Sequence, residues 1–141
     1  MTVGQYWCGG GDKGSWHVDE KRSGGQLFEQ ATHTIDLMRY LAGEIDEVFA
    51  ITARRVVPDA KADDVHCLTL RFANGSIGSL TTTWALIPGD YSQANIIDIF
   101  LDRQRIRLAR NTLDIQATED RAAPIEEADD LCIMETFLDA V

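Results

Sequence analysis

Two spacings of apolar residues run through this chain, and the switch between them marks out its elements. From Ser23 to Gly43 (SGGQLFEQATHTIDLMRYLAG) the spacing is helical. Leu27, Ala31, Ile35, Met38 and Ala42 fall on one face, and Phe28 and Leu41 widen the stripe. Glu29, His33, Asp36 and Tyr40 recur on the opposite face. Gly24 and Gly25 are poor helix interior, so one helix is predicted to start just after them. Gly43 is predicted to stop it, because helices often end on a residue with positive φ. The apolar face calls for a sheet beneath it.

Elsewhere the spacing is that of strands. Met1–Cys8 has strand character through Val3, Tyr6 and Trp7. Glu47–Val57 reads as a strand ended by Pro58 and the polar run DAKADD. Val65–Ala73 puts His66, Leu68, Leu70 and Phe72 on one face, which makes His66 a packed residue rather than a ligand. Asn74-Gly75 predicts a two-residue hairpin turn. Ser76–Leu86 returns, with Leu80 and Trp84 on one side and Ser79, Thr81 and Thr83 on the other. After a turn at Pro88-Gly89-Asp90 come three shorter strands, Asn95–Leu101, Arg105–Ala109 and Leu113–Ala117. Asp129 is predicted to cap a last helix, Leu131–Val141. Consecutive strands are expected to be hairpin neighbours. The fold class is α+β: an open, largely antiparallel (mixed) sheet with helices packed on one face. Residues 1–141 are expected to form a single domain.

Composition narrows the functional classes. A net charge of −10 argues against a nucleic-acid partner, which needs a basic footprint. No apolar run approaches a membrane span, and the start MTVGQYWCGGG lacks the features of a signal peptide. Cys8, Cys67 and Cys132 are far apart and odd in number, which predicts reduced thiols and a cytoplasmic home. Gly9, Gly11 and Gly14 satisfy GxGxxG, yet SWHVDEKRSGG follows instead of a helix, so no dinucleotide site is expected there. The glycine run reads as a flexible connection. Trp16 and His17 then lie on the approach to the central helix.

Its outer face is ordinarily a solvated surface. Here it holds a histidine one turn from a carboxylate, beside a Gly-Gly loop that permits close approach, and this makes it the candidate site. The residues alone leave three readings open. Glu29 and His33 could serve proton transfer. They could share a metal ion, with His17 completing the set. The domain could equally be a non-catalytic interaction module.

The run from Ser23 to Ala50 resembles the second domain of the glucose–fructose oxidoreductase and inositol dehydrogenase (Gfo/Idh/MocA) family. The resemblance rests on Gly24, Gly25, Glu29, His33, Ile35, Asp36, Leu41 and Gly43, in the family's order. DDVHCLTLRFANGSIGSL adds the family's Asp-Asp before a strand and its Asn-Gly turn. Inositol dehydrogenase-like members carry Asp where this chain has Glu29.

The resemblance implies a substrate-binding and oligomerisation domain that follows a Rossmann domain in a longer NAD- or NADP-dependent oxidoreductase. It implies a sugar, cyclitol or related polyol as substrate and His33 as base or proton shuttle assisted by Glu29. Gly24, Gly25, Gln30, Asp36 and Trp16 become candidates for substrate contact. The cofactor would be bound mainly by the Rossmann domain, so no cofactor binding is expected of this chain alone, and no metal site. A homo-oligomer formed through the threonine-bearing sheet face is implied as well.

Overall fold

The structure, a computed structural model, describes residues 1–10, 14–57, 60–110 and 112–119. The helix expected at Leu131–Val141 and its cap Asp129 lie outside the described residues. Seven strands form one sheet: β1 (Thr2–Gly9), β2 (Ile45–Ala53), β3 (Val65–Phe72), β4 (Ile77–Leu86), β5 (Gln93–Leu101), β6 (Gln104–Ala109) and β7 (Thr112–Ala117). Their order is β2-β3-β4-β1-β5-β6-β7. Only β1 and β4 pair in parallel; every other pair is antiparallel. The architecture is the expected α+β mixed open sheet. Two neighbour relations differ from the expected hairpins: β1 is not beside β2, and it inserts between β4 and β5.

The predicted single helix is broken. A short α1 (Glu20–Ser23) precedes the glycines, α2 (Gln26–Glu29) follows them, and α3 (Thr32–Ala42) carries most of the length. The break lies at Gln30 and Ala31, where both backbone N–H groups donate to the Gln26 carbonyl at 3.0 Å. One carbonyl serving two donors widens the turn and restarts the helix at Thr32. The stripe survives the break, with Ala31 and Met38 fully buried and Leu27, Ile35 and Ala42 packed on the core. Phe28 and Leu41 do not widen it; they are exposed.

Packing explains why α3 lies where it does. Met38 sits against Leu68, Leu70, Phe72, Leu80 and Ile97. Beneath it is Gly4 in β1, where an added Cβ would come 2.5 Å from the Met38 sulfur. The missing side chain lets the helix approach the sheet. Gly43, at φ +99°, ends α3 as expected, and the Asn74 side chain donates to the Ala42 carbonyl at 2.8 Å. The turn holding Asn74 is longer than the predicted two residues. Gly75 N–H donates to Phe72 O at 2.8 Å and Phe72 N–H to Ser76 O at 2.9 Å, which leaves Ala73, Asn74 and Gly75 in the loop. Gly75 has φ +84° and Asn74 does not have positive φ, so this is a turn with a bulge at the glycine.

The loop before β3 is organised by Asp64, which is fully buried. Its carboxylate accepts from the N–H groups of Arg55, Val56 and Val57 at 2.7–2.9 Å. His66 is buried on the helix side of β3, as its strand position predicts.

Candidate functional site

The C-terminal ends of β1 and β4, the start of β5 and the three short helices meet at one end of the sheet. The residues singled out by sequence fall on or around this end, though not as one constellation. Gly24 closes α1 at φ +76° and Gly25 opens α2 at φ +89°. The close approach they allow is to the protein itself: a Cβ on Gly25 would lie 2.8 Å from that of Ala62.

Gln30 is committed to the core. Its Oε1 accepts from Trp84 Nε1 at 2.7 Å and from the Cys8 thiol at 3.3 Å. Gln26, one turn earlier, is fully buried, donates to Tyr6 O at 3.2 Å and accepts from the Thr82 hydroxyl. Spacing alone did not single out Gln26. The signal was available, since it stands in register with Gln30 on the inner side. Asp36 is exposed and lies 3.9 Å from Arg39 one turn on, a solvated ion pair.

His33 stands on the outer face, whereas the Glu29 carboxylate is turned partly inward near Tyr6 and Cys8, and among the described residues no hydrogen bond or ion pair joins the two. The His33 ring is exposed and has no such partner among the described residues. Glu29 is half-buried, and its Oε2 is shielded from water with no hydrogen-bond partner. The histidine that approaches it is His17, whose Nε2 lies 3.9 Å from Glu29 Oε1. His17 belongs to a 3₁₀ turn, Trp16–Val18, on the approach to the central helix, a stretch for which the sequence predicted no element. Trp16 is exposed and stacks on His17 with ring centroids 3.9 Å apart.

Around Glu29 the site is electrostatically negative and dry. The buried Tyr6 hydroxyl is pushed up to about 12, by burial first and then by the charges of Cys8, Tyr91 and Glu29. Burial, with Glu29 adding to it, pushes the Cys8 thiol up to about 11. Both groups therefore keep their protons at neutral pH and act as donors rather than nucleophiles.

Two amides of the glycine run are committed to the backbone. Gly9 N–H donates to Asp90 O at 2.9 Å and Gly10 N–H to Trp84 O at 3.1 Å, so neither amide is free for a pyrophosphate. Nor does the metal reading gain support: among the described residues no three His, Cys, Asp or Glu side chains converge on a common point. A separate cleft of about 340 Å³ lies between α1, α2 and the end of β2, lined by Glu20, Phe28, Arg54, Lys61, Asp63 and His66. It contains neither Glu29 nor His33.

Comparison with the curated proteins gives no match. Among solved structures, levoglucosan dehydrogenase in complex with NADH and levoglucosan is 27% identical at a TM-score of 0.74, over 86% of this chain and 36% of that one. The WlbA dehydrogenase from Bordetella pertussis, in complex with NADH and UDP-GlcNAcA, shares the fold at 24% identity and a TM-score of 0.70, over 84% of this chain and 39% of that one. An oxidoreductase from Agrobacterium radiobacter, in complex with NAD+, L-tartaric acid and magnesium, shares it at 21% identity and a TM-score of 0.64, over 92% and 40%. This chain thus spans well under half the length of each. The family model described as the GFO/IDH/MocA C-terminal domain matches residues 1–108, and on that match the chain belongs to the GFO/IDH/MocA family.

Proposed function

We propose that this chain is the substrate-binding domain of an NAD(P)-dependent dehydrogenase that oxidises a hydroxyl of a sugar, cyclitol or related polyol. The observation that carries the reading is the outer face of α2 and α3. It presents an exposed, unpartnered His33 ring one turn from a half-buried Glu29, in a domain similar to that of levoglucosan dehydrogenase. The nicotinamide, NAD or NADP, is supplied by a Rossmann domain of a longer protein, a reading supported by the use of the Gly9 and Gly10 amides within the fold.

Oxidising a hydroxyl removes a hydride from carbon and a proton from oxygen. The residues of this chain handle the proton. His33, without a hydrogen-bond or ion-pair partner among the described residues, takes it from the substrate hydroxyl as general base. Glu29 fixes the local negative charge at the site, and Trp16 offers an open aromatic face for the apolar side of a sugar ring. Asp36 and the two glycines shape the surroundings without touching the reacting atoms.

The test is His33→Asn in the full-length enzyme. Turnover falls by about 10²–10⁴-fold, the usual worth of general acid–base catalysis, while fold and cofactor binding persist. Glu29→Gln costs less, and the double variant behaves like His33→Asn alone. Near-parent turnover with an unchanged pH profile in His33→Asn would remove the catalytic assignment and leave a non-catalytic binding or assembly module.

A further inference from the structure

His17 has no part in that reaction, yet its surroundings are more specific than those of any other exposed or half-exposed side chain at this end of the sheet. Glu29 closes α2 with Oε2 shielded and bonded to nothing among the described residues. A carboxylate oxygen kept from water without a donor is costly. What meets the other oxygen therefore decides where the side chain rests. Oε1 faces His17 Nε2 at 3.9 Å, within about 1 Å of hydrogen-bond reach.

The His17 ring has two further contacts, and the backbone of its turn is fixed as well. Ser15 Oγ lies 2.8 Å from Nδ1 and also accepts from His17 N–H at 3.4 Å. The Trp16 ring covers one face. The Ser23 hydroxyl donates to the His17 carbonyl at 2.7 Å, and Asp19 N–H closes the turn onto Trp16 O at 3.2 Å. The two ring nitrogens thus see different neighbours: a hydroxyl, which can donate or accept, and a carboxylate, which only accepts. A neutral imidazole has one N–H. With the carboxylate at Nε2, the hydrogen belongs on Nε2, and the Ser15 hydroxyl donates to Nδ1.

We propose that the 3.9 Å gap between His17 and Glu29 closes to a hydrogen bond, so that Ser15, His17 and Glu29 form one relay in which His17 is the positioning residue for Glu29. The acid of the site is then aimed by the 3₁₀ turn, not by its own helix, and the Ser15–His17 segment is part of the substrate wall. This deepens the dehydrogenase reading, but the relay itself can be tested without any turnover.

The experiment is a long-range proton–nitrogen spectrum of the histidine rings of this chain at about pH 8.5, well above the ordinary histidine range. His66 serves as the internal reference, because its Nε2 lies 3.3 Å from the Asp63 carbonyl, an acceptor only. In the parent, His17 gives the pattern of a fixed Nε2–H tautomer. Glu29→Leu removes the acceptor and Ser15→Ala removes the donor; each converts the His17 pattern to an average of the two tautomers, with His33 and His66 unmoved. An averaged His17 pattern in the parent overturns the proposal. So does a His17 pattern that neither variant changes, or a response at His33 in its place. A dead reaction scheme with a fixed His17 tautomer would count against the proposed function alone. An active His33-dependent enzyme with an averaged His17 would count against the relay alone.

Discussion

His66 is pressed into the sheet beside two carboxylates and still resists protonation. Burial holds it below the ordinary histidine value, although the Asp63 carbonyl and the charges of Asp63 and Asp64 push the other way. Its Nδ1 is shielded with no hydrogen-bond partner, which fits a neutral ring. The unfolded chain therefore takes up this proton first as the pH falls. The stability contribution is complete above about pH 6.5 and is lost as pH drops from there toward the depressed folded value. Thermal unfolding midpoints should fall over that window, and His66→Phe should flatten the fall. Parallel curves for the two proteins would show that His66 is not the titrating group. The alternation of β3 was enough to place His66 inside. The same kind of evidence could not place His17, since a turn has no period and its partner Glu29 lies twelve residues away in sequence. Spacing offered His33 to Glu29, and folding brought His17 instead.

The α2–α3 break shows why a sound stripe can conceal two elements. Leu27 to Ala31 and Ala31 to Ile35 are both one-turn steps, so the apolar spacing is blind to the doubled hydrogen bond at Gln26. Neither proline nor glycine marks the place. By contrast, both ends of the stretch were legible in Gly24, Gly25 and Gly43, whose backbone angles need glycine. The strands were legible to within two residues at most of their ends, because one face of the sheet is buried and fixes the alternation. Asn74 had a second task that its Asn-Gly signature hid, the cap on α3. The close approach of α3 to the sheet is at Gly4. A methyl there meets the Met38 sulfur, Leu80 and Thr34 at once. Gly4→Ala should therefore destabilise the domain by about 1–3 kcal/mol, the usual range for overpacking, read as a shifted urea midpoint with the slope unchanged. A neutral result would mean that α3 can slide outward at little cost.

At the scale of the whole molecule, the helices among the described residues cover one face of the sheet and leave the other open. That open face carries Phe49 opposite Thr69, Ile51 opposite Cys67 and Ile77 opposite Arg71, with Phe49, Ile51 and Ile77 each more than half exposed. Trp7 lies on the same face and donates to Thr81 Oγ1 at 3.0 Å. Toward the far edge, Asp98 is nearly buried under Arg105 and Arg107, which hold its carboxyl well below the usual range. Apolar groups in such a row, with their polar neighbours already satisfied, suit burial against a second copy. We expect sedimentation to give at least a dimer, and Phe49→Asp with Ile51→Asp to give a monomer of unchanged helical and strand content. A parent protein that stays monomeric at its highest soluble concentration would exclude the open face as a self-sufficient interface.

The position of β1 has a consequence for how the sheet is made. β2, β3 and β4 form one set of local hairpins, and β5, β6 and β7 form another. Within the sheet only β1 pairs with both sets, reaching from Thr2 to Gly78 on one side and to Ile99 on the other. Each set can pair as it leaves the ribosome, whereas the strand synthesised ahead of both must wait for both. Its loop-closure entropy is the largest in the sheet, so we expect docking of β1 to be the slow step, with each half carrying a bare strand edge until then. The residue that lets this strand seat under α3 is Gly4, so a position without a side chain is expected to bear on the timing of the whole sheet.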